Sequence, residues 1–570
     1  MPSDREQTQR RRRLLREQMR ALSLGPLMRG SLVERLRRCG RANCACATDP
    51  DKRHGGKFLT VQLDGRTQAL HVRSEDEAQV RAAIDAYTQL WKVINELTVC
   101  ELADLRRAAR ERRRGRQGIL PFVLKQAKRA DVTARVGLPL VLETMRALGV
   151  DEVAGAELPP PKRQRGFAPA HKLEAIVTLL AAAGDRVEDV RVLAEDKGLE
   201  TLLGVAFPSP DALLDFVGQF HDPTCWEGRP PEKKAWVAPE SAGLLALEAI
   251  NRALVERGAE RSMTQATIDH DGTIIEAHKR EATVAYEGTR GFQPLVAVWA
   301  EQQLVVADEF RDGNVAGGED PLSSVQRAFA NLPPWVVERR FRADSAAYYT
   351  PLLKYLVKEQ IGFAISADMT RELRACCTAV AKPRWARLET REREEVDVVE
   401  VEFTPGDWPR AAWPLRYIAL RFTPRQQELL ESRGVTYHAI VTNRRDLDAA
   451  QLVHWHREKA GTIEHVHRVM KDELGAGVLP SARFGANAAW FRLNALTFNV
   501  LTVLKRRALP ERFRDARPKR LRYELFTLGG ELAVHQTQLS VRVPVSDPRF
   551  QEIVEARQRL LAMYAARRRA

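Results

Sequence analysis

Asp269 and Asp271 stand two residues apart in the segment Ile268-Asp-His-Asp-Gly-Thr-Ile-Ile-Glu-Ala277. Asp344 sits in Arg342-Ala-Asp-Ser-Ala346, and Glu464 ends the run Gly461-Thr-Ile-Glu. Carboxylates brought together repel one another unless cations neutralise them. Mg²⁺ suits such a set, because it takes hard oxygen ligands and keeps several waters. Two ions about 3.5–4 Å apart clamp a scissile phosphate, activating the attacking oxygen and stabilising the leaving one. A phosphodiester asks for positioning and charge neutralisation more than for covalent help. Taken singly, each acid reads as a surface or capping residue. A second group of donors is Cys39, Cys44, Cys46 and His54. These ligand types suit zinc as a Cys₃His site, whereas the irregular Cys-x4-Cys-x-Cys spacing favours reduced packing cysteines. Cys100, Cys225, Cys376 and Cys377 read as packing residues.

The elements decide whether the acids meet. Ala266–Ile275 reads as a strand, and a period of two places Asp269 and Asp271 on one face. Strands are expected at 295–300 and 304–310, joined by Glu301-Gln-Gln. A helix follows at 321–330, a strand at 336–343 ending beside Asp344, a helix at 348–359 and a strand at 361–366. That order, β-β-β-α-β-α-β, is the order of an RNase H-like core, in which the three acidic locations converge at one rim of the sheet. Short strands at 398–403, 415–422 and 437–442 form a β-rich insertion, about 370–447. Helical pattern resumes at Ala449 and carries Glu464. Arg468 and Lys471 follow at spacings that share its face, which turns acid toward the metal and base toward phosphate.

Upstream, Arg10–Arg38 reads as a basic helical stretch. Lys57–Arg73 alternates about Asp64-Gly65, which calls for a β-hairpin with a type I′ turn. Ser74 is placed to cap a long helix. Its seam of Val80, Ile84, Tyr87, Trp91, Ile94, Leu102 and Leu105 fits either a dimerising arm or a helix packed within its own chain. Residues 118–225 read as helical, with a break at Pro159-Pro-Pro161. Ser209 caps and Pro210 opens a helix over 212–220, either the reading helix of a helix-turn-helix or, the plainer reading, part of a bundle. Trp226–Trp236 reads as a linker. The expected divisions are 1–117, basic with the Cys cluster; 118–236, helical, for DNA binding or dimerisation; 262–510, catalytic; and 511–570, a basic helical tail. The fold class is α/β, multidomain.

Charge points to a polyanion. The chain of 570 residues carries 90 Lys+Arg against 75 Asp+Glu. The excess is concentrated: residues 1–50 hold twelve arginines against five acids, 101–130 ten basic residues against three acids, and 505–522 nine against two. Clustered cations release the counterions condensed on phosphates, and arginine matches phosphate bidentately. No apolar run reaches the ~18–20 residues that cross a bilayer. The polar, Arg-rich start lacks the apolar region of a secretory signal, and seven cysteines fit a reducing compartment better than a disulfide scaffold. A cytoplasmic, nucleoid-associated place is expected, with no membrane partner.

These segments resemble the DDE transposases of bacterial insertion sequences, in the branch with a β-rich insertion before the final Glu. The likeness is carried jointly by residues 268–277, Gly291–Trp299, Arg311-Asp-Gly-Asn314, Arg342–Ala346, Ile463-Glu464 through Leu474, and Phe484–Trp490. It covers about 262–500, more weakly 118–225. Residues 30–115 resemble a small domain of unassigned function found with mobile elements. The resemblance implies an enzyme dependent on Mg²⁺ or Mn²⁺ that binds the terminal repeats of an element, cuts there, and joins the freed 3′-hydroxyls to target DNA. It implies Asp271, Asp344 and Glu464 as catalytic residues and metal ligands, with Asp269 competing for the first position, and two chains acting together on DNA. The wider signature Tyr-x2-Arg-x3-Glu-x6-Lys is matched by Glu464 and Lys471. Arg457 and Ala460 stand in its Tyr and Arg slots, so Arg457 and Lys459 join Arg468 and Lys471 as DNA contacts. His454, His456 and His465 read as surface or helix residues, and His467 lies near the site in sequence. Trp385, Trp408 and Trp413 read as packing residues of the insertion rather than as platforms for an extruded base. Rival readings are a nuclease without strand transfer and a silent DNA-binding regulator.

Overall fold

The computed structural model describes residues 4–116, 132–160, 166–230, 234–285, 287–408, 415–425, 434–535, 538–544 and 546–569. The chain divides into two compact units, Met1–Lys128 and Arg129–Ala570. Among the described residues no helix is long and apolar enough to cross a membrane.

In the first unit, helix α1 (Asp4–Leu22) is followed by strand β1 (Gly30–Arg37), not by more helix. Pro26 has no amide hydrogen to continue the ladder, and the chain re-enters extended to pair antiparallel with β2 (His54–Leu63). β2 turns into β3 (Arg66–Val72) through Asp64 and Gly65, whose φ values of +48° and +74° make the expected I′ turn. Helix α2 (Glu77–Arg116) lays Val80 and Ile84 on the sheet beside Leu59 and Val72. Arg12 of α1 pairs with Glu101 and Asp104 of α2. Farther along the expected seam, Trp91, Leu102 and Leu105 are exposed.

The second unit opens with β4 (Val132–Thr133), α3 (Pro139–Ala147), α4 (Val150–Glu157), α5 (Pro169–Ala181), α6 (Val190–Ala194), α7 (Lys197–Leu203), α8 (Pro210–Gly218) and α9 (Ala242–Gly258). Ser209 caps α8, its Oγ accepting from the Ala212 amide at 3.2 Å. Leu213, Phe216 and Val217 of α8 are buried, so this helix is a bundle member. The expected linker is docked at its start, where the Trp226 ring meets Phe484 at 4.4 Å between centroids. Residues 118–131 and 161–165, within the expected helical region, lie outside the described residues, as do residue 117 and Trp413.

The sheet core follows in chain order: β5 (Gln265–Gly272), β6 (Ile275–Glu276), β7 (Thr283–Val284), β8 (Arg290–Phe292), β9 (Leu295–Trp299), β10 (Leu304–Glu309), α10 (Pro321–Ala330), β11 (Glu338–Ala343), α11 (Thr350–Lys358) and β12 (Gly362–Ala367). The insertion holds α12 (Arg371–Ala379), β13 (Ala386–Thr390), β14 (Glu394–Val401), β15 (Arg416–Pro424) and β16 (Thr436–Thr442). One nine-stranded sheet runs β10-β9-β5-β11-β12-β16-β15-β14-β13. β5, β11 and β12 are mutually parallel, and the remaining pairs are antiparallel. The insertion therefore extends the core sheet rather than forming a sheet of its own. Trp385 and Trp408 are buried in it, which fits packing.

Helix α13 (Ala449–Glu473) lies on the sheet, capped by Asp448 and Gln451. Helix α14 (Phe484–Arg507) is almost wholly buried and packs against α9, α5 and β10. Its Asn499 accepts from the Val305 amide at 2.8 Å, which stitches helix to sheet. After α15 (Pro518–Leu521) the chain does not run on as a helical tail. β17 (Gly530–His535) and β18 (Gln538–Arg542) form a hairpin paired to β4, and α16 (Arg549–Arg569) packs on α3. Leu521, Leu525 and Phe526 are buried. Their apolar side chains commit this segment to the core.

Candidate active site

β5 is central, so its side chains alternate between two covered faces. His270 faces α10 and meets Ser324 Oγ at 3.1 Å. Asp269 and Asp271 both face α13, as the strand period requires. Asp269 is fully buried. Arg342, directly opposite it on β11, donates Nε to Oδ1 at 2.7 Å and Nη2 to Oδ2 at 3.1 Å. Thr462 of α13 donates to the same carboxylate. Arg342 also donates to the Trp455 carbonyl at 2.6 Å and to Glu458 at 2.7 Å. Burial works against the guanidinium charge, and the bonds to Asp269 and Glu458 outweigh it, so its pKa rises. The Asp269–Arg342 fork thus locks β5, β11 and α13 together.

Asp271, near the end of β5, is half-buried. Its Oδ1 accepts from the Gly272 amide at 2.9 Å, and its Oδ2 accepts from Lys459 Nζ at 2.8 Å. Asp344 follows the last residue of β11 and caps the next turn, accepting from the Ala346 amide at 3.1 Å. Burial, and then the negative charge of Asp271, push its carboxyl above the ordinary range. Both acids line one open cavity of about 480 Å³, with Gln293, Gly317, Tyr348 and Asp368. His456 of α13 bonds the Ala343 carbonyl at 3.0 Å and so fixes the strand end just before Asp344. Arg311, fully buried, donates to the Glu319 carbonyl at 2.5 Å. It holds the turn that brings Gly317 to the cavity.

Helix α13 supplies the rest. Lys459 reaches Asp271, and His467 is buried nearby. Its pKa falls to about 4, through burial first, with Asp271 opposing and Lys471 and Lys459 adding to the fall. Its Nε2 has no hydrogen-bond partner among the described residues. Glu464 lies on the exposed side of α13 and does not line the Asp271–Asp344 cavity. Arg468 is exposed, while Lys471 lines an adjoining opening with Gly272, Thr273 and Gln293. Arg457 is paired with Glu389 at 3.0 Å. The structure therefore brings together Asp271, Asp344, Lys459 and Lys471, assigns Asp269 to the clamp, and leaves Glu464 and Arg468 facing solvent.

Asp368 was missed in the sequence. It follows β12 directly, and its signal was positional: in open α/β sheets, sites form beyond the carboxyl ends of parallel strands. Asp271, Asp344 and Asp368 stand near or just past the ends of the three parallel strands. Their oxygens are the donors that Mg²⁺ or Mn²⁺ prefers. Burial and the negative charge of Asp271 raise the Asp344 carboxyl, and a cation bound there would lower it again. By donor type these acids suit a divalent cation, though among the described residues their oxygens are not drawn into one close ligand group. In the first unit, the donor atoms of Cys39, Cys44, Cys46 and His54 all lie within 4.8 Å of one another.

A transposase DDE domain, group 1, matches residues 123–565. The chain belongs to that transposase family. The match reaches well beyond the stretch 262–500 whose motifs carry the resemblance, and it takes in the helical layer and the C-terminal hairpin. A domain of unknown function matches residues 5–82. No curated protein matches the chain. Among solved structures, the cryo-EM structure of a piggyBac transposase synaptic complex with hairpin DNA shares 11% identity, covering 77% of this chain and 83% of that one, with a TM-score of 0.36.

Proposed function

We propose that the protein is a DNA transposase that binds the ends of an insertion sequence, cuts phosphodiester bonds there, and joins the freed 3′-hydroxyls to target DNA. The observation that carries this reading is the meeting of Asp271 and Asp344 at the ends of two parallel strands in one open cavity. Asp271, Asp344 and Glu464 hold Mg²⁺ or Mn²⁺ in this reading, Glu464 on the strength of its Glu-x6-Lys pattern with Lys471. The bound cations supply charge neutralisation and polarise the phosphate oxygens. Lys459 offsets the charge of Asp271, and Arg468 and Lys471 receive DNA phosphates. Asp269 positions the site through Arg342. Two chains act together, one for each end of the element.

The test incubates the full chain with labelled element ends. Cleavage is expected with Mg²⁺ and none with EDTA, and Asp344→Ala is expected to lose activity at least ~100-fold. Glu464→Gln should lose as much, while Asp368→Asn stays within about tenfold. The opposite ranking transfers the third ligand to Asp368. Joining of pre-cut ends separates a transposase from a nuclease, which only hydrolyses.

A further inference from the structure

We propose that Cys39, Cys44, Cys46 and His54 form a closed, structural zinc site that folds the loop between β1 and β2. The antiparallel pair Arg37↔His54 closes the loop at its base. Within it, Cys44 opens a short turn, Ala45–Ala47, and Asp49 caps a second, Pro50–Lys52. These turns fold the cysteines back on the strand end. Cys44 Sγ lies 3.1 Å from His54 Nε2, and Cys46 Sγ lies 3.5 Å from Cys39 Sγ. Tetrahedral zinc, with Zn–S about 2.3 Å and Zn–N about 2.0–2.1 Å, sets its ligand atoms about 3.6–3.8 Å apart. All four donor atoms fall within 4.8 Å, so the set is already gathered around one centre. The cysteines are free thiols, not a disulfide.

Energetics point the same way. Across residues 38–53, Cys46 is the one buried side chain. A loop with so little apolar cover has almost no hydrophobic burial to set against its conformational entropy. Four metal–ligand bonds supply that stabilisation, as in small metal-folded modules. With all four positions filled by protein, the site has no open place for a substrate, which marks it as structural rather than catalytic. Once fixed, the loop displays Arg38, Arg41, Lys52 and Arg53, all exposed.

The inference does not depend on the transposase reading. Full-length protein, made without a polyhistidine tag in zinc-containing medium, should carry about one equivalent of zinc by elemental analysis. Cys44→Ser with His54→Asn should remove it, and Cys376→Ser should retain it. Titration of the demetallated wild type with Co²⁺ should give a thiolate charge-transfer band and the intense visible bands of tetrahedral cobalt. This readout stands even if the double variant fails to fold. Zinc-free wild type, full zinc in the double variant, or cobalt spectra without the thiolate band would each overturn the proposal.

Discussion

At the scale of single residues, Arg342 and the buried histidines carry the clearest consequences. Asp269 gives both its oxygens to Arg342 in a dry setting. Removing one partner of a buried pair strands the other charge, at a cost of about 3–5 kcal/mol. Arg342→Ala is therefore expected to lower stability by that amount in urea unfolding and to reduce cleavage with it. Arg342→Lys keeps the charge and loses the fork, so it should fall between. His456 and His467 are both held at about 4, and His270 at about 3, burial being the main cause in each. They are neutral when folded and take protons near 6.5 when unfolded. Their contribution is present above about 6.5 and is lost as pH falls toward 4. Each is worth roughly 3–5 kcal/mol at the limit. The unfolding midpoint should drop steeply between those pH values, and His456→Gln should flatten the drop.

At the scale of elements, the helix starts are set by local chemistry. Ser209→Ala removes the α8 cap and should cost about 1 kcal/mol, measured as a shift in the urea midpoint at unchanged slope. Local chemistry also explains what was legible in the sequence. Strand β5, its alternation, helix α10, the hairpin at Asp64-Gly65 and the capped α8 all follow from short-range pattern. Three features were not legible. β1 was hidden inside a basic run whose arginines fit helix and edge strand alike. The C-terminal hairpin pairs with β4 across about four hundred residues, and no local pattern announces such a partner. The environment of Glu464 depends on how α13 is rotated against the sheet. That rotation is set by Thr462 on Asp269 and Lys459 on Asp271, not by the spacing of acid and base along the helix.

At the scale of the whole molecule, the second unit is closed by its own two ends. β4 pairs with β17, and Phe513, Leu521, Leu525 and Phe526 fill the core. A chain ending after Arg507 should therefore lose cooperative unfolding by circular dichroism rather than shed a passive tail. The sheet itself has a larger consequence. Neighbouring strands rotate by about 20–25°, and four steps separate β11 from β14. At that average twist, the strands of the added portion are expected to cross those at the cavity at about 80–100°. A long rod aligned with the strands at the cavity meets the added portion crosswise.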